Sequence, residues 1–255
     1  MINNAVFAKT LKVAVAANFY PTLKIIAKEF KQETKHDLIL SPASSGKHFA
    51  QIVNGASFDV FLSADKEMPQ KLIQLGKAVE SSRMTYAIGQ LALAGQCQLT
   101  QELELCLKEN KFQTLALANS EFAPYGKAAL EVLRFLGIEE SSKGKWRVGL
   151  NVNQAFQYVK TQNVELGLVA LSLVKQAKLN ERNYRIVPYD YYFPIYQDAI
   201  ILEKSNNKQL AKLFLEFLKQ DRIKLIINNS GYRLIEVNEK ERYLSKNSEE
   251  LADVF

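Results

Sequence analysis

Four short stretches place amide, hydroxyl or small residues where an apolar run gives way to a helical pattern. They are Asn18 in "AANFYPT", Ser44 and Ser45 in "SPASSGK", Tyr125 with Gly126 in "APYGKAA", and Asn151, Val152 and Asn153 in "LNVNQAFQ". Taken singly, each reads as a helix cap, because Asn and Ser side chains satisfy the orphan N–H groups of a first turn. Taken together they point to a second use. Helix N-termini carry unpaired N–H donors and a partial positive charge, so several that converge hold an anion without a cationic side chain. Asn18 is then expected to cap its helix and to offer its side-chain amide to the anion. Lys47 and Lys127 lie just inside two of these helices and read as solvent-facing. Such a donor set suits a fully ionised tetrahedral oxyanion. A protonated phosphate would need an acceptor carboxylate, and Asp65 reads instead as the cap of the helix that follows it.

Catalysis has less to work with. The histidines are His36 and His48. Ser45 and His48 fall too close together on one helix start to act as nucleophile and base, and no third group orients them. "ASSG" does not match the G-x-S-x-G elbow. P-loop, G-x-G-x-x-G, H-E-x-x-H and EF-hand patterns are absent. Glu139 and Glu140 read as solvated carboxylates in a polar turn. No catalytic residue, no bare-cation metal site and no cofactor are expected. Cys97 and Cys106 lack a C-x-x-C partner; they form either a disulfide, given an oxidising compartment, or two packed thiols.

The elements that must position these junctions alternate. Residues 11–17, 37–42 and 58–64 read as strands. Helices at 21–35, from Ser44 to Gly55, and up to Gly76 intervene. After residue 86, "YAIGQLALAGQ" crosses into a second set: strand "TLALAN", helix 125–136 closed by Gly137, "WRVGLN", "NQAFQYVKTQN", the strand "LGLVALSLV" and "YRIVPY". "PIYQDAIILEKS" crosses back, and two helices follow. This order predicts α/β architecture with mostly parallel sheets in two lobes and a ligand cleft between them. Lobe I is expected from 11–86 and 198–235, lobe II from 87–197, and a polar tail or helix from 236–255. The aromatics of "YDYYFPIYQ" read as a packed interlobe crossing.

Composition narrows the class. In 255 residues, 47% are hydrophobic, enough for a substantial core. The net charge of +6 is spread among acidic residues without a basic stripe, so nucleic acid is not an expected partner. No apolar stretch is long enough to span a bilayer. "AVFA", ending at Ala8, reads as the stub of a cleaved secretion signal, with Met1 added for expression.

"VAVAANF", "SPASSGK", "FDVFLSAD", "APYGKAA", "NVNQAFQYV" and "GLVALSLV" occur in this order between Lys12 and Tyr232. Together they resemble the periplasmic molybdate-binding proteins of ABC importers. The resemblance implies a type II periplasmic-binding-protein-like fold that closes over molybdate or tungstate and hands it to a membrane permease. It also implies a periplasmic or otherwise extracytoplasmic location, with a lipid anchor open, a monomeric state and no enzymatic activity. The contacts it implies are Asn18, Ser45 with its neighbour Ser44, and the backbone N–H groups of Tyr125 and Val152. Some members add a tyrosine hydroxyl at the position of Ala170; here Tyr125 is expected to supply it. A donor ring sized for the larger anion would stretch its contacts to sulfate, at about 1.5–3 kcal/mol for each hydrogen bond lost. The alternatives are a binder of sulfate or phosphate, or an enzyme on the same fold.

Overall fold

The computed structural model describes residues 8–97 and 102–235. The first part of the chain forms β1 (Thr10–Ala16), α1 (Tyr20–Thr34), β2 (Asp37–Ala43), α2 (Ser45–Val53), β3 (Val60–Leu62), α3 (Glu67–Gln74) and β4 (Met84–Gly89). The middle forms β5 (Leu91–Gly95), α4 (Leu103–Lys108), β6 (Leu115–Ala118), α5 (Pro124–Phe135), α6 (Glu139–Ser142) and β7 (Trp146–Gly149). There follow α7 (Val152–Lys160), β8 (Leu166–Ala170), α8 (Leu171–Gln176), β9 (Tyr184–Ile186), β10 (Ile195–Ile201), α9 (Lys208–Leu218) and α10 (Asp221–Asn229).

Two five-stranded sheets organise these elements, in the orders β2-β1-β3-β10-β4 and β7-β6-β8-β5-β9. In the first, β1 pairs parallel with β2 and β3, and β10 runs antiparallel between β3 and β4. The second repeats the plan: β6 is parallel to β7 and β8, and β5 runs antiparallel between β8 and β9. A parallel pair needs a long crossover, supplied here by helices. The starts of α1 and α2 therefore lie beyond the carboxyl ends of β1 and β2, and those of α5 and α7 beyond β6 and β7. The chain passes from the first sheet to the second through Gln90 alone, and returns between β9 and β10.

Period-two burial explains the first sheet. Leu11, Val13 and Val15 share a core with Phe30 of α1, Phe214 of α9 and Ile227 of α10. Ala14 and Phe61 belong to the core on the α2 and α3 side. Both faces are covered, as parallel sheets require. Helices expected to close at Gly55, Gly76 and Gly137 do so, each glycine at a positive φ that an L side chain resists.

Two readings change. The apolar run "LGLVALSLV" is not one strand: β8 ends at Ala170, and Leu171 opens α8 while its N–H donates to the carbonyl of Gln90 over 2.9 Å. A continuously buried run looks the same in strand and helix, so periodicity could not separate them. Cys97 and Cys106, left open above, are joined as a disulfide. The expected tail, 236–255, and the "AVFA" stretch up to residue 7 lie outside the described residues.

Candidate functional site

The four junctions are held by strand register. Ala16 pairs with Ala43, and the Ala17 N–H donates to the Ala43 carbonyl over 2.8 Å, so α1 and α2 start side by side. In the second lobe Ala118 pairs with Gly149, and the Asn119 N–H reaches the Gly149 carbonyl over 2.8 Å, which does the same for α5 and α7. Pro124 opens α5, where its missing N–H costs nothing. Gly126 lets that helix seat against β6: a Cβ there would fall 2.4 Å from the Ala118 carbonyl oxygen. Asn151 caps α7, its side chain accepting from the Gln154 N–H over 3.1 Å. Asn18, Ser44, Ser45, Tyr125 and Val152 are all buried.

The lobes touch around these starts. The Gly46 N–H donates to the Phe122 carbonyl over 3.0 Å. The Ser172 hydroxyl of α8 donates to the Asn18 carbonyl over 3.1 Å. Ala16 and Ala64, from the first lobe, pack into the core of the second. Lys127, expected to point to solvent, is half-exposed but reaches across to Glu67 over 2.9 Å.

The Asn18 reading is corrected. The N-cap of α1 is Phe19, and no side chain caps that helix. The Asn18 amide instead donates to Gln197 Oε1 over 2.9 Å and to the Tyr232 hydroxyl over 3.1 Å. Both amide hydrogens are thereby taken. What Asn18 still offers is its backbone N–H, for which no acceptor exists among the described residues.

A donor inventory of the remaining groups is informative. Tyr125 Oη accepts from Gln197 Nε2 over 3.3 Å, and its own proton has no acceptor among the described residues. Burial pushes this phenol well above its ordinary pKa, so the proton stays. Ser45 Oγ accepts from the Ala64 N–H over 2.9 Å and likewise keeps an uncommitted proton. The Ser44 hydroxyl has no hydrogen bond among the described residues, and neither have the N–H groups of Ser45, Tyr125 and Val152. Asn18, Ser45 and Tyr125 are tied together through Gln197 and the Gly46–Phe122 bridge. Val152 begins the helix beside that of Tyr125. The result is a group of buried, uncharged donors at four helix starts, two in each lobe.

His48 does not pair with Ser45. Its ring nitrogens face Gln51 Oε1 at 3.1 Å and the Val15 carbonyl at 3.2 Å, and burial lowers its pKa. Asp65 stands one residue before the N-cap of α3, Lys66, and accepts from the Met68 N–H of its first turn over 2.8 Å; burial raises its carboxyl to about 6. Tyr189, in the aromatic crossing, donates to Gln90 Oε1, and Tyr192 accepts from the Leu91 N–H over 3.1 Å. Sequence reasoning missed Gln197, Tyr86, Ser172 and Tyr232. The one available signal was "QD" inside the apolar run of β10, a polar pair where a buried strand has no reason to carry one.

Residues 11–233 match the family model described as bacterial extracellular solute-binding protein. The molybdate-binding protein ModA of Azotobacter vinelandii is 43% identical over 229 residues, spanning 89% of this chain and 91% of its own. The ModA of Rhodobacter capsulatus is 37% identical over 219 residues, 86% of each chain. The solved Azotobacter vinelandii periplasmic molybdate-binding protein superposes with a TM-score of 0.84 at 36% identity, covering 89% of this chain and all (100%) of that one. The sulfate-binding protein SubI of Mycobacterium tuberculosis superposes with a TM-score of 0.72 at 9% identity, a likeness of fold alone. By family model and by identity over nearly its whole length, the chain belongs to the bacterial extracellular solute-binding proteins.

Proposed function

We propose that this protein captures molybdate or tungstate outside the cytoplasm and delivers it to a membrane ABC permease. The observation that carries the reading is the donor set: two buried hydroxyl protons, on Ser45 and Tyr125, and the N–H groups of Asn18, Ser45, Tyr125 and Val152, none committed to a protein acceptor. Ser44, buried next to Ser45, adds a third hydroxyl. Donors drawn from both lobes suit a guest that only accepts, and a fully ionised tetrahedral oxyanion does. Leaving so many buried donors unpaired costs about 1–3 kcal/mol each, a cost that a doubly charged guest removes. The relatives named for molybdate, at 43% and 37% identity, favour that anion over sulfate or phosphate.

The role is binding and release, with hinge motion about the crossings at Gln90 and before β10. The protein acts as a monomer, in the periplasm or held at the outer face by a lipid anchor, and performs no catalysis. Calorimetry with molybdate, tungstate, sulfate and phosphate tests this. Molybdate or tungstate should bind at least a hundred-fold tighter than sulfate, as the loss of two charged hydrogen bonds implies (about 1.5–3 kcal/mol each). Sulfate binding as tightly as molybdate overturns the assignment. A thermal melt gives the same answer cheaply, because a ligand bound only by the folded state raises the midpoint.

A further inference from the structure

Gln197 lies fully buried on β10, between the lobes, and its amide is used at both ends. Its Oε1 accepts from Asn18 Nδ2 over 2.9 Å and lies 3.2 Å from the Tyr86 hydroxyl. Its Nε2 donates to Tyr125 Oη over 3.3 Å. The strand ladder aims it there. Gln197 pairs with Ala87 and Asp198 with Thr85, which leaves Tyr86 as an extra residue on β4. Such bulges re-aim side chains next to functional sites. Asp198 pins the irregularity through Arg83 Nε and Thr85 Oγ1, each at 2.6 Å. On the other side, a Cβ at Gly89 would fall 2.3 Å from Tyr125 Oη and 2.7 Å from Gln197 Nε2, so a glycine makes room for this contact.

A phenol has one proton. When its oxygen accepts from Gln197, that proton is released for another acceptor; when its oxygen donates to an amide carbonyl, it is not. We propose that Gln197 is a positioning residue that makes Tyr125 a donor to the bound anion and so excludes guests that carry a proton of their own. This rests on the oxyanion reading above. The arrangement Asn18 to Gln197 to Tyr125 runs donor to acceptor in one direction, from the first lobe into the second. A hydrogen phosphate ion offers one O–H, and a phenol already accepting from Gln197 is poorly placed to receive it.

The test is a double-mutant cycle with Gln197→Met and Tyr125→Phe, titrated with molybdate and with phosphate. Tyr125→Phe should lower molybdate affinity about 10- to 100-fold, the range for a hydrogen bond to a charged group. Gln197→Met should lower it about 10-fold in the parent and less than about two-fold in the Tyr125→Phe background, because the two residues act as one unit. Gln197→Met should also narrow the preference for molybdate over phosphate, which a merely structural residue, weakening both anions alike, would not do. Equal losses in both backgrounds, or an unchanged preference, overturn the proposal. If Gln197→Met does not fold by its apo melt, the isosteric Gln197→Glu is put through the same cycle. Its carboxylate would capture the Tyr125 proton, so its loss should be larger with Tyr125 than with Phe; equal losses again refute the idea. A parent protein that binds neither molybdate nor tungstate refutes the underlying reading instead.

Discussion

The backbone N–H of Gly46 and the backbone carbonyl of Phe122 meet across the cleft at 3.0 Å, one from each lobe. The donor is at the second residue of α2, next to Ser45, and the acceptor immediately precedes Ala123 and the start of α5. The helix starts that carry Ser45 and Tyr125 are thus held facing each other by this bond.

A side chain at Gly46 should obstruct that approach. A Cβ there would lie 3.0 Å from Phe122 Cα and 3.1 Å from its carbonyl oxygen, both backbone atoms with little freedom to yield. Gly46→Ala is expected to weaken molybdate binding about ten-fold, by the rough scale of one lost charged contact. The apo melting temperature should stay level or rise, since alanine is the better helix former. Calorimetry beside an apo melt separates the two effects; a loss of apo stability without a loss of affinity would contradict it.

Lys127 and Glu67 form a further link over the cleft, at 2.9 Å and with both side chains about half-exposed. Ion pairs of this exposure contribute about 0–1 kcal/mol. Lys127→Met should therefore raise the molybdate dissociation rate by no more than about five-fold, an effect that fades in high salt. Stopped-flow release at two ionic strengths measures it. Equal acceleration at both would show that the pair is not the cause.

Asp65 links stability to pH. Its carboxyl is raised from 3.8 to about 6, chiefly by burial, so the folded protein holds the proton more tightly than the unfolded chain does. The sign follows: this contribution is complete below about pH 3.8 and is lost as pH rises through about 6. Asp65→Asn retains an acceptor for the Met68 N–H and cannot ionise. It should melt a few degrees above the parent at pH 8, with the gap closing toward pH 4. A gap independent of pH would mean that the carboxylate is not the source.

The Cys97–Cys106 bond ties the segment after β5 to α4; β5 ends there at Gly95, which pairs with Leu166, at the opposite end of β8 from Ala170. Replacing both residues by alanine should cost about 2–3 kcal/mol, as expected for a short closed loop, and leave molybdate affinity within about two-fold. Chemical denaturation and calorimetry on the double variant check this. A large drop in affinity would show that the bond shapes the cleft.

Much of this architecture could be read along the chain. Apolar runs of strand length, each followed by a small or amide residue and a helical period, announced the βα units, and glycines at 55, 76 and 137 marked where helices stop. "LGLVALSLV" was misread because a segment buried on every side shows no period. Asn18 was misread for another reason. An asparagine before a helix is a cap by statistics, yet here Gln197 and Tyr232, 179 and 214 residues away, compete for its amide and win.

Residue types and their order alone determined that helix starts in two lobes would offer neutral donors, because capping chemistry and chain direction are local properties. Which donors stay uncommitted was decided only by the folded whole. A hydroxyl or amide has few hydrogens, and whether one is left for a guest depends on neighbours such as Gln197, Ala64 and Phe122, brought there by strand pairing across the sheets and by contact between the lobes.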